Sequence, residues 1–197
     1  MGANLRGFFE DTVAEVASRQ GIANTRAVRG YLVGLLSDFA RPESRMRDTL
    51  DRPLTLLLYE ALEASGFERF ERLRTLGDGV LYVAGFFRDH IKGRGVELSY
   101  VNAVGAQAYG GASRMLKHPG EDSGCDPDIF QELADNFQEL TELLFEVAEV
   151  FQTRAVGARP SATVQLYERW LRTGSAAAQK ALTERGIVPL RGTETLH

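Results

Sequence analysis

Apolar residues recur every three or four positions through nearly all of this 197-residue chain, the period of a helix with one face turned inward. The first such run, Leu5 to Arg19, presents Phe9, Val13, Val16 and Ala17, and Gly21 follows its end. Asn24 or Thr25 supplies an N-cap for the second run, which passes through Tyr31, Leu32, Leu35, Leu36 and Phe39. Pro42 interrupts the pattern, and Glu43 to Leu50 reads as a short helix. Asp51-Arg52-Pro53 opens the next, with Asp51 as cap and proline in the first turn, where its missing N–H costs nothing. That helix runs to about Ser65 and Gly66 ends it.

From Phe67 the residues Phe70, Leu73, Leu76, Val80, Val83 or Ala84, Phe87 and Ile91 predict one long or kinked helix to about Lys92. Gly77-Asp78-Gly79 is its weak point, because glycine disfavours a helix interior. Gly93-Arg94-Gly95 reads as a turn, and Ser99 as the cap of a helix from about Tyr100 to Lys117. A polar loop, His118 to Gly124, precedes the longest clean pattern, Asp126 to about Ala155. Arg159-Pro160-Ser161 opens a helix ending at Gly174, and Ser175 caps a last one ending at Gly186. No segment alternates at period two. The pattern predicts an all-α fold, a compact bundle of seven or eight helices with a C-terminal helical hairpin. A single domain over 1–197 is expected, with mobile ends at 1–4 and 188–197.

Composition refines this. With 44% apolar and 25% charged residues the chain is globular in character. The net charge of −4 conceals a segregation, since residues 118–153 carry ten acids and no Lys or Arg. Such a balance gives no general attraction to phosphate backbones, so nucleic acid is not an expected partner. Of the 23 basic residues only Lys92, Lys117 and Lys180 are lysine. The single Cys125 excludes an intramolecular disulfide and suits a reducing compartment. Acids at Glu10 and Asp11 precede any signal-like apolar stretch, and Arg6 stands where the myristoylation pattern after Gly2 wants Ser or Thr. The run Val80 to Phe87 is far shorter than a membrane span needs. A soluble, cytoplasmic protein without a membrane span is expected.

The pattern from Asp126 is the most regular. Phe130, Leu133, Phe137, Leu140, Leu144, Val147 and Phe151 form an apolar stripe in steps of three and four. Asp128, Glu132, Asp135, Glu139, Glu142, Glu146 and Glu149 keep the same steps on the roughly opposite face. Adjacent like charges repel by a few tenths of a kcal/mol per pair, which Arg45, Arg47 and Arg52 or Arg69, Arg72 and Arg74 would relieve from elsewhere. The acidic face is expected outward, as a solvated surface, a docking strip for a basic partner, or carboxylates sharing a hard cation.

A second feature joins small residues to aromatics, in Gly77 to Phe87 and in Tyr100 to Gly111. Glycine inside a helix costs about 1 kcal/mol against alanine, so Gly85, Gly105 and Gly111 point to close approach of something. Either another helix packs there, or an apolar or flat ligand lies among Tyr82, Phe86, Tyr100 and Tyr109. No glycine cluster follows a strand into a helix, as nucleotide loops do.

The run Leu76-Gly77-Asp78, then Gly85-Phe86-Phe87, Tyr100, Gly105, Ala108-Tyr109, and later Leu166-Tyr167-Glu168-Arg169-Trp170-Leu171 with Gly174-Ser175, resembles a family of uncharacterised bacterial all-helical proteins. The likeness covers residues 25–188. It implies a bacterial, stand-alone helical domain and no particular activity.

Motifs for catalysis are missing. His90 has no Glu or His one helical turn away, and the one such neighbour of His118, Glu121, follows it within the polar loop, so neither histidine forms the helical di-iron or zinc signature. His90 suits a helix C-terminus, favourably placed against the dipole. Cys125 lies ahead of a helix start, but Glu121, Asp122 and Asp126 oppose its thiolate. Prenyl-binding Asp pairs, a nucleophile elbow and a Walker loop are absent. Trp170, the only tryptophan, reads as a core anchor beside Leu166 or as an interface residue of the terminal hairpin.

The leading expectation is a non-enzymatic interaction or regulatory module without cofactor or metal. It would bind a protein partner, basic in character, through Glu132, Asp135, Glu139, Glu142, Glu146, Glu149 and Trp170, or form homo-oligomers. The alternative is a small-molecule bundle with an apolar or aromatic ligand between helices 76–92 and 99–117, at Tyr82, Phe86, Tyr100 and Tyr109.

Overall fold

A computed structural model describes residues 2–22, 24–40, 52–116, 128–156 and 162–189. Among them every regular element is helical, and the all-α class follows. The helices are α1 (Gly2–Gln20), α2 (Arg26–Phe39), α3 (Leu54–Glu63), α4 (Gly66–Phe86) and α5 (Arg88–Gly93), then α6 (Leu98–Leu116), α7 (Ile129–Asp135), α8 (Phe137–Val156), α9 (Ala162–Thr173) and α10 (Ala176–Thr183). The expected helix 43–50, the Asp51 cap, the loop with His118 and Cys125, the Asp126 and Arg159 helix openings, and the Arg45 and Arg47 side chains lie outside the described residues.

Ten described helices exceed the expected seven or eight because both long patterns are broken. The 67–92 pattern does not yield at Gly77-Asp78-Gly79, which stays helical. It breaks at Phe87, where φ −123° and ψ 32° leave the helical region. Phe87 is thereby turned out to solvent, and Arg88 packs inward with its guanidinium 4.3 Å over the ring of Phe145. The 126–155 pattern breaks at Asn136, at φ −104° and ψ 18°. Both the Asn136 backbone N–H and its side-chain amide donate to the Glu132 carbonyl, at 3.1 and 3.0 Å, a local competition for helical acceptors typical of asparagine. Ser99 is not a cap either, since α6 begins at Leu98 and Ser99 lies in its first turn. Thr25 is the cap of α2, accepting from the Val28 N–H at 3.2 Å.

The chain divides into two compact units, 1–145 and 146–197, the division falling within α8. In the first, α1 lies on α2 through buried Phe9, Val13, Val16 and Ala17. The α4 and α6 helices pack extensively on one another, with α3, α5 and α7 laid against that pair. In the second, α9 and α10 form the expected hairpin around Leu166, Trp170, Ala178 and Leu182. Gly174 makes its turn at φ +67°, a conformation costly for any residue with a Cβ, and its N–H donates to the Trp170 carbonyl at 2.8 Å. Ser175 caps α10 by accepting from the Ala178 N–H.

Candidate functional site

Four glycines of α4 and α6 are filled from the protein side: Gly77, Gly85, Gly105 and Gly111. A Cβ on Gly77 would come within 2.6 Å of the Tyr109 ring, and one on Gly85 within 2.5 Å of the Leu144 Cβ. One on Gly105 would overlap the ring of Phe137, and one on Gly111 would meet a Leu73 methyl at 3.0 Å. The glycine faces therefore serve helix packing.

The four aromatics expected to hold a ligand are separated. Tyr109 is fully buried, between the rings of Tyr31, Phe130 and Phe137. Tyr82 stacks on Phe39 and Phe86, at centroid distances of 4.2 and 5.0 Å. Tyr100 lines a cavity.

Beside Tyr109 lies a polar cluster that periodicity did not reveal. Asp78 Oδ1 accepts from the Tyr31 hydroxyl at 2.5 Å and from the Tyr109 hydroxyl at 2.8 Å, while its Oδ2 lies 3.7 Å from Arg74 Nε. Burial raises the Asp78 carboxyl above the usual carboxylate range, against the lowering effect of the two phenol hydrogen bonds and Arg74. Burial, and then the adjacent Asp78 charge, raise both phenols as well. The sequence carried one signal, an acid between two glycines in an otherwise apolar helical run.

The acidic face is not uniformly outward. Glu132 accepts from the Thr25 backbone N–H at 2.7 Å and from its hydroxyl at 2.8 Å, joining α7 to the start of α2. Asp128 caps α7 by accepting from Phe130 N–H and also accepts from the Ser113 hydroxyl. Asp135 is exposed and accepts from Gln131 at 2.8 Å; Glu139 is exposed. Glu142 accepts from Arg88 at 2.9 Å, and Glu146 is half-buried. Within the second unit Glu149 is only 3% exposed and grips the Arg169 guanidinium by two bonds, 2.9 and 2.8 Å. The expectation that all these acids face solvent is thus corrected at Glu149. The relief comes partly from Arg88 and Arg169, whereas Arg52, Arg72 and Arg74 pair with Glu60, Glu68 and Glu71. Trp170 is in the hairpin core beside Tyr167, 7% exposed.

Residues of four helices and their flanking turns bound a cavity of about 410 Å³. Gly79, Val80 and Val83 of α4 and Tyr100 and Val101 of α6 form its walls. His90 and Ile91 of α5, with Arg94 and Val96 after it, close one side; Arg52, Pro53 and Leu54 at the start of α3 close the other. The walls are chiefly aliphatic, and among the described residues the polar side chains are two guanidiniums, an imidazole and a phenol. The break at Phe87 helps to build it, because the short α5 carries Ile91 inward and leaves His90 exposed.

No family model, curated protein or solved structure matches this chain. Among the described residues no helix is long and apolar enough to cross a membrane, and no three His, Cys, Asp or Glu side chains converge to hold a metal ion.

Proposed function

We propose that this chain is a small-molecule binding helical protein whose ligand lies in the cavity between α3, α4, α5 and α6. The observation that supports it is the cavity itself. Its volume of about 410 Å³ lies within the range of small-molecule sites, and its lining has their character, aliphatic walls with a few polar side chains. The site is beside the glycine-mediated crossing, not in it, so the ligand meets Tyr100 and not Tyr82, Phe86 or Tyr109. Tyr100, 42% exposed at the cavity, suits replacement by tryptophan as a reporter. Titrating the Tyr100→Trp protein with apolar probes should shift its emission saturably, and Val83→Phe placed in the same background should abolish the shift by occupying the space. Emission shifts that persist unchanged with Val83→Phe would count against the cavity as the site.

A protein-interaction reading is supported by Asp135 and Glu139, which remain exposed on consecutive turns of the acidic face. Co-purification from the native host would then show a basic partner lost on the double change Asp135→Lys/Glu139→Lys. Retention of the same partner by that variant would remove the acidic face from consideration.

A further inference from the structure

We infer that the ligand of this cavity is an anionic amphiphile, an apolar body ending in a single carboxylate or phosphate group. The inference rests on the cavity reading above and adds the chemistry of the head group. Three cationic or protonatable side chains line the cavity, and they come from three places in the chain: Arg52 ahead of α3, His90 on α5 and Arg94 after it. No carboxylate is among the described residues that line it. In a protein of net charge −4 this is a local reversal of sign, and the remaining walls, Val80, Val83 and Val101 among them, suit an apolar body.

The geometry gives the two ends of such a ligand different surroundings. Ile91 and Val101 are deeply buried, whereas Arg52 and His90 are solvent-exposed. An apolar body in the interior and an anion toward the exposed rim therefore avoid burying an uncompensated charge. Arginine offers paired N–H donors that match carboxylate or phosphate oxygens, and Pro53 and Leu54, at the positive end of the α3 dipole, line the same space. Arg52 also donates to Glu60 at 2.5 Å, so an entering anion shares or takes over that partner. An uncharged ligand would gain no charge–charge attraction from these groups, and a cationic one would meet repulsion.

The test uses the full chain carrying the Tyr100→Trp reporter, with decanoate, decyl phosphate, decan-1-ol and decylammonium as matched probes. At low salt, decanoate or decyl phosphate should bind about tenfold tighter than decan-1-ol, and decylammonium most weakly. The anion's advantage should shrink with added salt, because charges near solvent are screened. Arg94→Gln and His90→Gln, each verified as folded by circular dichroism, should reduce anion affinity while leaving decan-1-ol binding unchanged. Equal affinity for decanoate, decyl phosphate and decan-1-ol, all blocked by Val83→Phe, would overturn the head-group inference while the cavity reading stands. Tighter binding of decylammonium would overturn it likewise. If no probe binds, or if binding survives Val83→Phe, the cavity reading fails and takes this inference with it.

Discussion

The Tyr31 hydroxyl donates to Asp78 Oδ1 over 2.5 Å, tying α2 to the middle of α4 through a largely buried carboxylate. Tyr109 of α6 donates to the same oxygen, so three helices meet on one atom. This explains why Gly77-Asp78-Gly79 does not kink. The Tyr109 ring lies against Gly77, its hydroxyl holds Asp78, and both contacts require the local helix. Tertiary packing here outweighs the roughly 1 kcal/mol that each glycine costs a helix interior.

The cluster has a pH signature. Asp78 is raised in the folded state, so the stability it contributes is fully present below the ordinary aspartate value, about 3.9, and is lost as pH rises through its folded value. Asp78→Asn should remove that fall, since the amide oxygen still accepts from the phenols and carries no charge to desolvate. Denaturant unfolding of parent and variant between about pH 4 and 7 should show the variant gaining relative to the parent as pH rises. A parallel pH course for the two proteins would refute the assignment.

The phenols give the opposite end of the scale. Tyr31 and Tyr109 are raised, so the stability they contribute is complete below about pH 10, the ordinary tyrosine value, and is lost as pH climbs through their folded values. In a 295 nm titration the ionisation of Tyr31 and Tyr109 should be delayed beyond the ordinary tyrosine value. Absorbance from Tyr31 and Tyr109 should appear only together with loss of helical circular dichroism. In the Tyr31→Phe/Tyr109→Phe double variant, that delayed component should disappear.

Glycine replacements should separate by what the new methyl meets. Gly85→Ala drives into the Leu144 Cβ with its backbone close behind, and Gly105→Ala into the Phe137 ring, so each should cost about 1–3 kcal/mol. Gly111→Ala meets only the movable end of Leu73 and should cost less. Gly34→Ala, with nothing within 4 Å, should stabilise α2 by up to about 1 kcal/mol. Thermal melts of the four variants give the order directly, and a rise in Tm for Gly85→Ala or Gly105→Ala would contradict the packing described.

The acids of α8 should behave unequally. Glu149→Ala leaves the Arg169 guanidinium, 13% exposed, without its paired carboxylate, and should cost about 3–5 kcal/mol. Glu142→Ala removes the bonded carboxylate from Arg88, 12% exposed, at a cost of about 1–3 kcal/mol. Glu139→Gln should stay within about 0.5 kcal/mol of the parent, as surface substitutions do. Equal effects at the three positions would restore the picture of one uniform solvated stripe.

The amino-acid sequence was sufficient for the helical class, the buried faces of α1 and α2, the Ser175 cap and the closing hairpin, and it narrowed the α2 cap to Asn24 or Thr25. These are local properties, since a period, a cap or a turn glycine acts within a few residues. Breaks at Phe87 and Asn136 were not legible, because periodicity continues across both and only the cross-chain fit of Arg88 on Phe145 and of Phe137 on Gly105 accompanies the new directions. The acidic face illustrates the same division. Its spacing was plain, but Glu132 and Glu149 meet partners 107 and 20 residues away in the chain. Likewise, Tyr100 was named among four aromatics, yet its place at a cavity with Arg52, His90 and Arg94 was decided only when four helices converged. A cavity belongs to the space between elements, and no single segment encodes it.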